Sequence, residues 1–471
     1  MHTLRSRISE MVLDTVVRLN PFFARFFERD EWLLFVLFVL AALTRLPIVF
    51  FPDSTIADEF VYSNYAMLLA NGVPFFDIHP PLVRILFAWI ISPFAYTPQL
   101  FAIDIGNAFG DFPFSWLRLF VASFGIALPL LFYLIGRLSG LGRHFAFLVG
   151  FLVVTDSALT LYGATILPDT ILLFLNLSAI ACILIAVRLP KNFYSWSFTL
   201  IGGVLWGLAL ATKWTALGVL PVFVILFFGM TKTRWHKFFS FLLMGASVYI
   251  LVFCYYFTLF TQPVLKERGI VTFNIDLADV QQTTLPDPYD FGEIVRYLPT
   301  EHELMLSANI APEVVDNLAP APRPHTWPLG QSTFLYWWDK GDPTIVIYLI
   351  ANLALWPSLF FLLLFAICDI GSALLRRPRE TWSANKMPIT LMVGYFANYL
   401  PFFFIARPTY LYHYFTSLAF LLLLAPHVIP RITQMLDRRQ QNRTPVRVFF
   451  ALLLVTIMVT YLITMPVIYG Y

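Results

Sequence analysis

Residues 32–51 read WLLFVLFVLAALTRLPIVFF, twenty positions in which Arg45 is the single charge. As a helix this run is about 30 Å long, the thickness of a bilayer's hydrocarbon core. It is too long for the apolar core of a cleavable signal, no small-residue cleavage site follows it, and residues 1–31 are mixed and charged. It therefore reads as a first membrane span. Ten further runs follow at about 116–136, 145–162, 168–187, 198–212, 214–230, 238–261, 343–367, 387–406, 409–429 and 448–469. Little more than Lys213-Trp214 parts the 198–230 pair. Composition agrees: of 471 residues, 59% are hydrophobic and 13% charged, against about 45–50% and about 25% in soluble domains. The expectation is an all-α polytopic membrane protein with about eleven transmembrane helices. A net charge of +3 gives no reason to expect a nucleic-acid partner. Cys182, Cys254 and Cys368 stand far apart in apolar runs, without a disulfide framework or zinc-ligand spacing.

Charge placement sets the orientation. With the N-terminus cytoplasmic and the spans alternating, 21 of the 31 Lys and Arg residues fall on the inner side, as the positive-inside rule favours, and the C-terminus lies outside. Three regions result: 1–261, a membrane region with a first outer loop at 52–115; 262–342, a second outer segment; and 343–471, a C-terminal four-helix membrane region. Within the first loop, Asp58–Asn71 and Pro81–Tyr96 have helical character, apolar on one side and too short to span, and are expected to lie along the interface. The second segment holds nine prolines and is expected to form short helices and extended turns.

Ionisable residues near membrane depth are costly and default to functional hypotheses. On this topology Asp58, Glu59, Arg118, Asp156, Asp169, Lys213, Arg407 and His413 all meet the outer leaflet, with Asp77 and His79 in the loop beside them. Any one of them also fits a helix-end or snorkelling charge. Their collection on one side fits a site for a charged, lipid-borne substrate. Helix capping accounts for one carboxylate of Asp58-Glu59 but less well for two. The run Pro74-Phe75-Phe76-Asp77-Ile78-His79-Pro80-Pro81-Leu82 reads either as a rigid turn, with Pro81 opening a helix, or as part of the site. Residues 407–414, RPTYLYHY, suit an interfacial aromatic belt, which leaves Arg407 and His413 unexplained.

Asp58-Glu59 followed by Phe75-Phe76-Asp77-Ile78-His79-Pro80-Pro81-Leu82 resembles the acidic pair and FFDxHPPL signature of the protein O-mannosyltransferases, membrane-embedded glycosyltransferases of the GT-C type that use lipid-phosphate sugars. Arg118-Leu119, Asp156, Ile166-Leu167-Pro168-Asp169, Leu210-Ala211-Thr212-Lys213-Trp214, Trp327-Pro328-Leu329 with Tyr336-Trp337, and Asn398-Tyr399-Leu400-Pro401 through Leu411-Tyr412-His413-Tyr414 extend the likeness over about 40–425. Two departures stand out. Members commonly carry an Arg five residues before the Asp of the third-to-fourth turn, where this chain has Ala164, which bears on the donor sugar. The outer segment is also short for the β-trefoil-type insert of the eukaryotic enzymes, so the chain resembles the compact bacterial form.

The resemblance implies transfer of mannose, with inversion, from a polyprenyl-phosphate-linked donor to Ser or Thr hydroxyls of proteins at the outer face of a bacterial-type plasma membrane. It implies no cofactor and no metal. Besides the donor, membrane lipids and an acceptor protein delivered by the secretion machinery are the expected partners. The residues suit that chemistry. A lipid phosphate leaves as a stable anion and needs cations, for which Arg118, Lys213 and Arg407 are candidates. The acceptor hydroxyl needs a carboxylate to take its proton; Asp58 is expected in that role, with Glu59 orienting it. Asp77, His79, Asp156, Asp169, Trp327 and His413 are expected to line the sugar and acceptor pocket. The alternative within the class is transfer of another polyprenyl-phosphate sugar, of aminoarabinose or arabinose type, to a lipid or glycan; related enzymes tend to show Lys where His79 stands. The alternative outside it is a lipid-linked-sugar transporter, against which the absence of an internal repeat argues.

Overall fold

The structure, a computed structural model, describes residues 30–101, 105–190, 192–229, 235–262, 285–310, 322–331, 333–405, 408–437 and 444–471. Among these, nine helices are long and apolar enough to cross a membrane: Glu31–Phe50, Phe114–Leu138, Asp169–Arg188, Phe193–Leu210, Trp235–Thr258, Leu355–Arg376, Lys386–Phe404, Leu411–Met435 and Val448–Tyr469. The chain is a multi-pass integral membrane protein. Nine rather than eleven qualify because two of the expected spans are broken.

The 145–162 run divides into Arg143–Val154 and Ser157–Tyr162. Asp156 causes the break: its carboxylate accepts the Leu159 N–H at 2.8 Å and caps the second piece. The break frees carbonyls at the end of the first piece, and Arg45 answers them from within the first span, donating to Val153 O at 2.9 Å and Val154 O at 3.3 Å. A guanidinium buried within a span thus finds acceptors that an intact helix would have used itself. Asn352 closes the same gap, donating to Thr155 O and Ile457 O at 3.0 Å each. The 214–230 run winds instead through a 3-10 turn (Trp214–Val219), a short α-helix (Leu220–Val224) and a π turn (Ile225–Gly229). Gly218 lets this irregular segment touch the 386–399 helix; a Cβ there would overlap the Asn398 side chain, which donates to Gly218 O at 3.0 Å.

Polar contacts group several of the residues expected on the inner side at one end of the bundle. Arg137 pairs with Asp30 at 2.8 Å, Arg188 donates to Leu138 O, Lys237 meets Ser195, and His427 reaches Ser139 at 3.3 Å. One turn along from His427, Arg431 pairs with Asp369 at 2.5 Å.

Three expectations need correction. The 58–71 stretch is a helix, Glu59–Ala70, but it is buried on nearly every side, enclosed by protein and not laid along an interface; the following helix, Leu82–Ile91, exposes Trp89 and is otherwise mostly buried. The 262–342 segment, expected outside, holds a twenty-residue helix, Phe291–Ile310, longer than the proline content suggested, with Pro299 inside it. The span expected at 343–367 starts late, at Leu355, because Val346–Leu349 pairs antiparallel with Phe334–Trp338. The first segment is almost wholly aromatic and the second combines Val346 and Ile347 with Tyr348, compositions that suit strands. Tyr336 is the extra residue of a bulge in this hairpin: Leu335 pairs with Tyr348 and Trp337 with Ile347, leaving Tyr336 without a cross-strand partner.

Candidate active site

The acidic pair splits into two environments. Glu59 is fully buried and accepts four hydrogen bonds, from Arg118 Nε (2.9 Å) and Nη2 (2.6 Å) and from the N–H groups of Ile56 (2.9 Å) and Ile166 (2.8 Å). Arg118, equally buried, spends its remaining donors on the carbonyls of Pro52 (2.5 Å), Ser54 (3.0 Å) and Ile48 (3.4 Å), between the rings of Phe109 and Phe114. All five guanidinium N–H groups therefore meet protein acceptors. Asp58, one residue earlier, is exposed.

The Phe75–Leu82 loop is clamped from below. Arg84, in the first turn of the following helix, pairs with Asp77 and donates to Pro80 O at 3.1 Å. Asp77 accepts the His79 N–H at 3.2 Å, and Tyr65 donates to Phe76 O at 3.0 Å. Burial raises the Asp77 carboxyl above its ordinary pKa, against the opposing pull of Arg84. Asp77 thus supports the loop, while His79 is presented by it. Leu82 N–H donates to Ala211 O at 2.9 Å, which ties the loop to the segment carrying Lys213.

Lys213 falls where the Phe193–Leu210 helix has ended and the backbone is extended (φ −153°, ψ 142°). Its ammonium pairs with Asp169 at 2.8 Å and lies over the Tyr412 ring, 5.1 Å from its centroid. Both members of the pair are buried. They open onto a cavity of about 230 Å³ walled by Ile78, His79, Trp214, Asn309, Asn398, Phe402, Tyr412, His413 and Phe415. At roughly 30 Å³ per water this is space for about eight waters, the scale of one pyranose ring.

Of the residues expected from sequence, the cavity gathers His79, Asp169, Lys213 and His413. Asp58 is not part of its wall. It is linked to it through Tyr412 and Tyr336, whose phenols both lie within electrostatic range of Asp58 and Asp169. Asp156 lies elsewhere, capping its helix and accepting the Trp356 indole N–H at 2.5 Å. Trp327 is fully buried behind the wall, its ring parallel to that of His413 at 6.4 Å. Arg407 lies outside the described residues.

Sequence reasoning missed Asn309, Asn398 and Tyr412 as wall residues. Asn309 comes from the outer helix and donates to Ile78 O at 2.8 Å. That helix is anchored by a second chain of bonds, in which the Trp214 indole meets Tyr249 at 2.8 Å and Tyr249 meets His302 at 2.7 Å. Beside it Glu301 is buried, and burial lifts its carboxyl to about 8. Nothing in the local sequence sets Asn309 apart from the other polar residues of Phe291–Ile310, such as Glu293, Arg296 and Glu303.

Two family models match the chain: dolichyl-phosphate-mannose-protein mannosyltransferase over residues 35–267, and the C-terminal four-transmembrane region of protein O-mannosyltransferase over 301–471. Dolichyl-phosphate-mannose–protein mannosyltransferase 1 of Candida albicans is 28% identical over 252 residues, 51% of this chain and 29% of that protein. Human protein O-mannosyl-transferase 1 is 32% identical over 24% of this chain and 16% of its own length. The aligned part of the chain thus spans less than a third of each relative. Among solved structures, the Saccharomyces cerevisiae Pmt1-Pmt2 complex bound to the sugar donor is similar with a TM-score of 0.77, at 16% identity, over 94% of this chain and 90% of that one. The Archaeoglobus fulgidus oligosaccharyltransferase shares the fold at 0.54, with 14% identity, over 94% and 56%. The two family matches together take in most of the chain, including the acidic pair, the loop that presents His79 and the cavity wall: the chain belongs to the protein O-mannosyltransferase family.

Proposed function

We propose that this protein transfers mannose from a polyprenyl-phosphate mannose to Ser or Thr hydroxyls of proteins, at the outer face of the membrane and with inversion. The cavity supports this most directly. It holds one lysine ammonium, fixed by Asp169, among aromatic, amide and imidazole groups that suit a sugar, and it is sized for one ring. In the reaction the acceptor oxygen bonds to C1 of the mannose while the C1–O bond to the phosphate breaks. The hydroxyl proton passes to Asp58, and the departing lipid phosphate keeps the bonding electrons, its charge met by Lys213. Asp58 suits the base role because it is the exposed member of the pair. Glu59 is held too completely to share that work, so it and Arg118 are assigned to fixing the backbone that carries Asp58. This moves Arg118 from phosphate ligand to anchor. Arg407 stays a candidate second cation for the phosphate, while His79 and His413 face the sugar.

The cytoplasmic placement of the end that gathers Arg137, Arg188, Lys237 and Arg431 follows from the positive-inside rule and sets the cavity at the external leaflet. The names of the sequence relatives favour mannose and a protein acceptor over transfer of aminoarabinose to lipid. The test is incubation of the purified protein with labelled polyprenyl-phosphate mannose and a Ser/Thr-rich peptide. Label on the peptide supports the proposal; label that moves only to lipid or glycan transfers it to the alternative.

A further inference from the structure

The outer hairpin reaches the acidic pair at one residue. Tyr336 is the bulge of its first strand, and bulges redirect a side chain out of the regular alternation, frequently beside active sites. Freed from the ladder, its carbonyl accepts the Ala57 N–H at 2.8 Å, immediately before Asp58. Ala57 itself has φ +47°, a left-handed conformation that costs an alanine about 1–2 kcal/mol and persists where surrounding bonds impose it. The other side of this segment is held by residues 106–109: Thr55 N–H to Asn107 O (2.9 Å), Gly106 N–H to Thr55 O (2.9 Å) and Phe109 N–H to Asp53 O (3.0 Å).

The Tyr336 side chain points the opposite way, into the membrane region. Its hydroxyl meets that of Tyr162 at 2.5 Å with both rings buried. Tyr162 in turn packs on Tyr412 and Phe415, both in the cavity wall, and its carbonyl accepts from Thr170, next to Asp169. Two buried hydroxyls in contact share one hydrogen between them, and the second must be directed to another acceptor. The charged or titratable groups facing this pair are Asp58, Asp169, Tyr410 and Tyr412.

We infer that the Tyr336–Tyr162 hydroxyl pair is a positioning device for the reaction, in which the outer hairpin, through its bulge, sets the Asp58 carboxylate relative to the Lys213–Asp169 cavity and directs a phenolic hydrogen toward the carboxylate side. This rests on Asp58 acting as the base. Tyr336→Phe keeps the ring and the backbone bond to Ala57 and removes the hydroxyl. The expected result is a kcat lower by about tenfold to a hundredfold, donor affinity within about twofold of the parent, and an acid limb of the kcat/KM profile moved to higher pH, because a carboxylate that loses a nearby donor is harder to ionise. Tyr162→Phe should reproduce all three, and supplies the reading if Tyr336→Phe does not fold. A folded variant of either kind with parental kcat and an unmoved acid limb overturns the inference; a lower kcat with an unmoved limb marks a structural role only and overturns it equally. Asp58→Asn, measured alongside, separates the two levels: if it turns over normally the base assignment fails, and if it is inactive while both Phe variants match the parent, only the present inference does.

Discussion

Arg118→Ala tests whether the buried cation anchors the site or binds substrate. In the structure its guanidinium makes two bonds to Glu59 and three to backbone carbonyls, with no exposed surface on either partner. Removing it leaves a buried carboxylate with only the Ile56 and Ile166 N–H groups, and leaves the Pro52, Ser54 and Ile48 carbonyls without this partner. Breaking such a pair from one side costs about 3–5 kcal/mol, a large part of a typical folding free energy. The expected outcome is a lowered unfolding midpoint in detergent and low yield, while the folded fraction binds polyprenyl-phosphate mannose with near-parental affinity. Arg118→Lys should recover little, since one ammonium cannot replace a two-point hold and three carbonyl contacts. Arg118→Met with Glu59→Gln removes both charges together and should melt above Arg118→Ala. Thermal unfolding and donor titration on the same preparations supply the readouts. A parental melting temperature with donor binding weakened tenfold or more would refute the anchor role and return Arg118 to the phosphate.

Two further outcomes follow from the cavity and its outer wall. Lys213→Met should weaken donor binding by about ten- to a hundredfold, and adding Asp169→Asn should restore stability without restoring the affinity, checked by melting and donor titration together. Glu301, raised to about 8 by burial, makes stability depend on pH. The native state keeps a proton that the unfolded chain releases above about 4.5, so stability is greatest below that value and falls as pH rises toward about 8, by on the order of a few kcal/mol. Glu301→Gln should flatten the melting temperature between pH 5 and pH 8, which pH-resolved thermal unfolding would check.

Membrane class and most spans were legible because apolar runs of span length have few other uses. The two misjudged runs were interrupted by single residues whose effect is local geometry: Asp156, which caps a helix inside an apolar stretch, and Gly218, which permits an irregular close approach. Asp58-Glu59 stood out as a pair, yet their division into a locked and an exposed carboxylate depends on Arg118, nearly sixty residues along, and no local pattern carries that pairing. Lys213 was visible as a charge in an apolar run; its partner Asp169 and the stacking Tyr412 come from other helices. Tyr336 and Asn309 lie in the outer segment, where prolines and mixed polarity concealed both a twenty-residue helix and a bulged strand.

The base assignment has one direct test: single-turnover transfer by Asp58→Asn with donor saturating and a Ser/Thr peptide in excess. Asp58 is exposed and Asn keeps its size and shape, so the variant should melt like the parent and bind donor normally, while transfer falls by about a hundredfold or more. Transfer at the parental rate by a folded, donor-loaded Asp58→Asn protein would contradict the account.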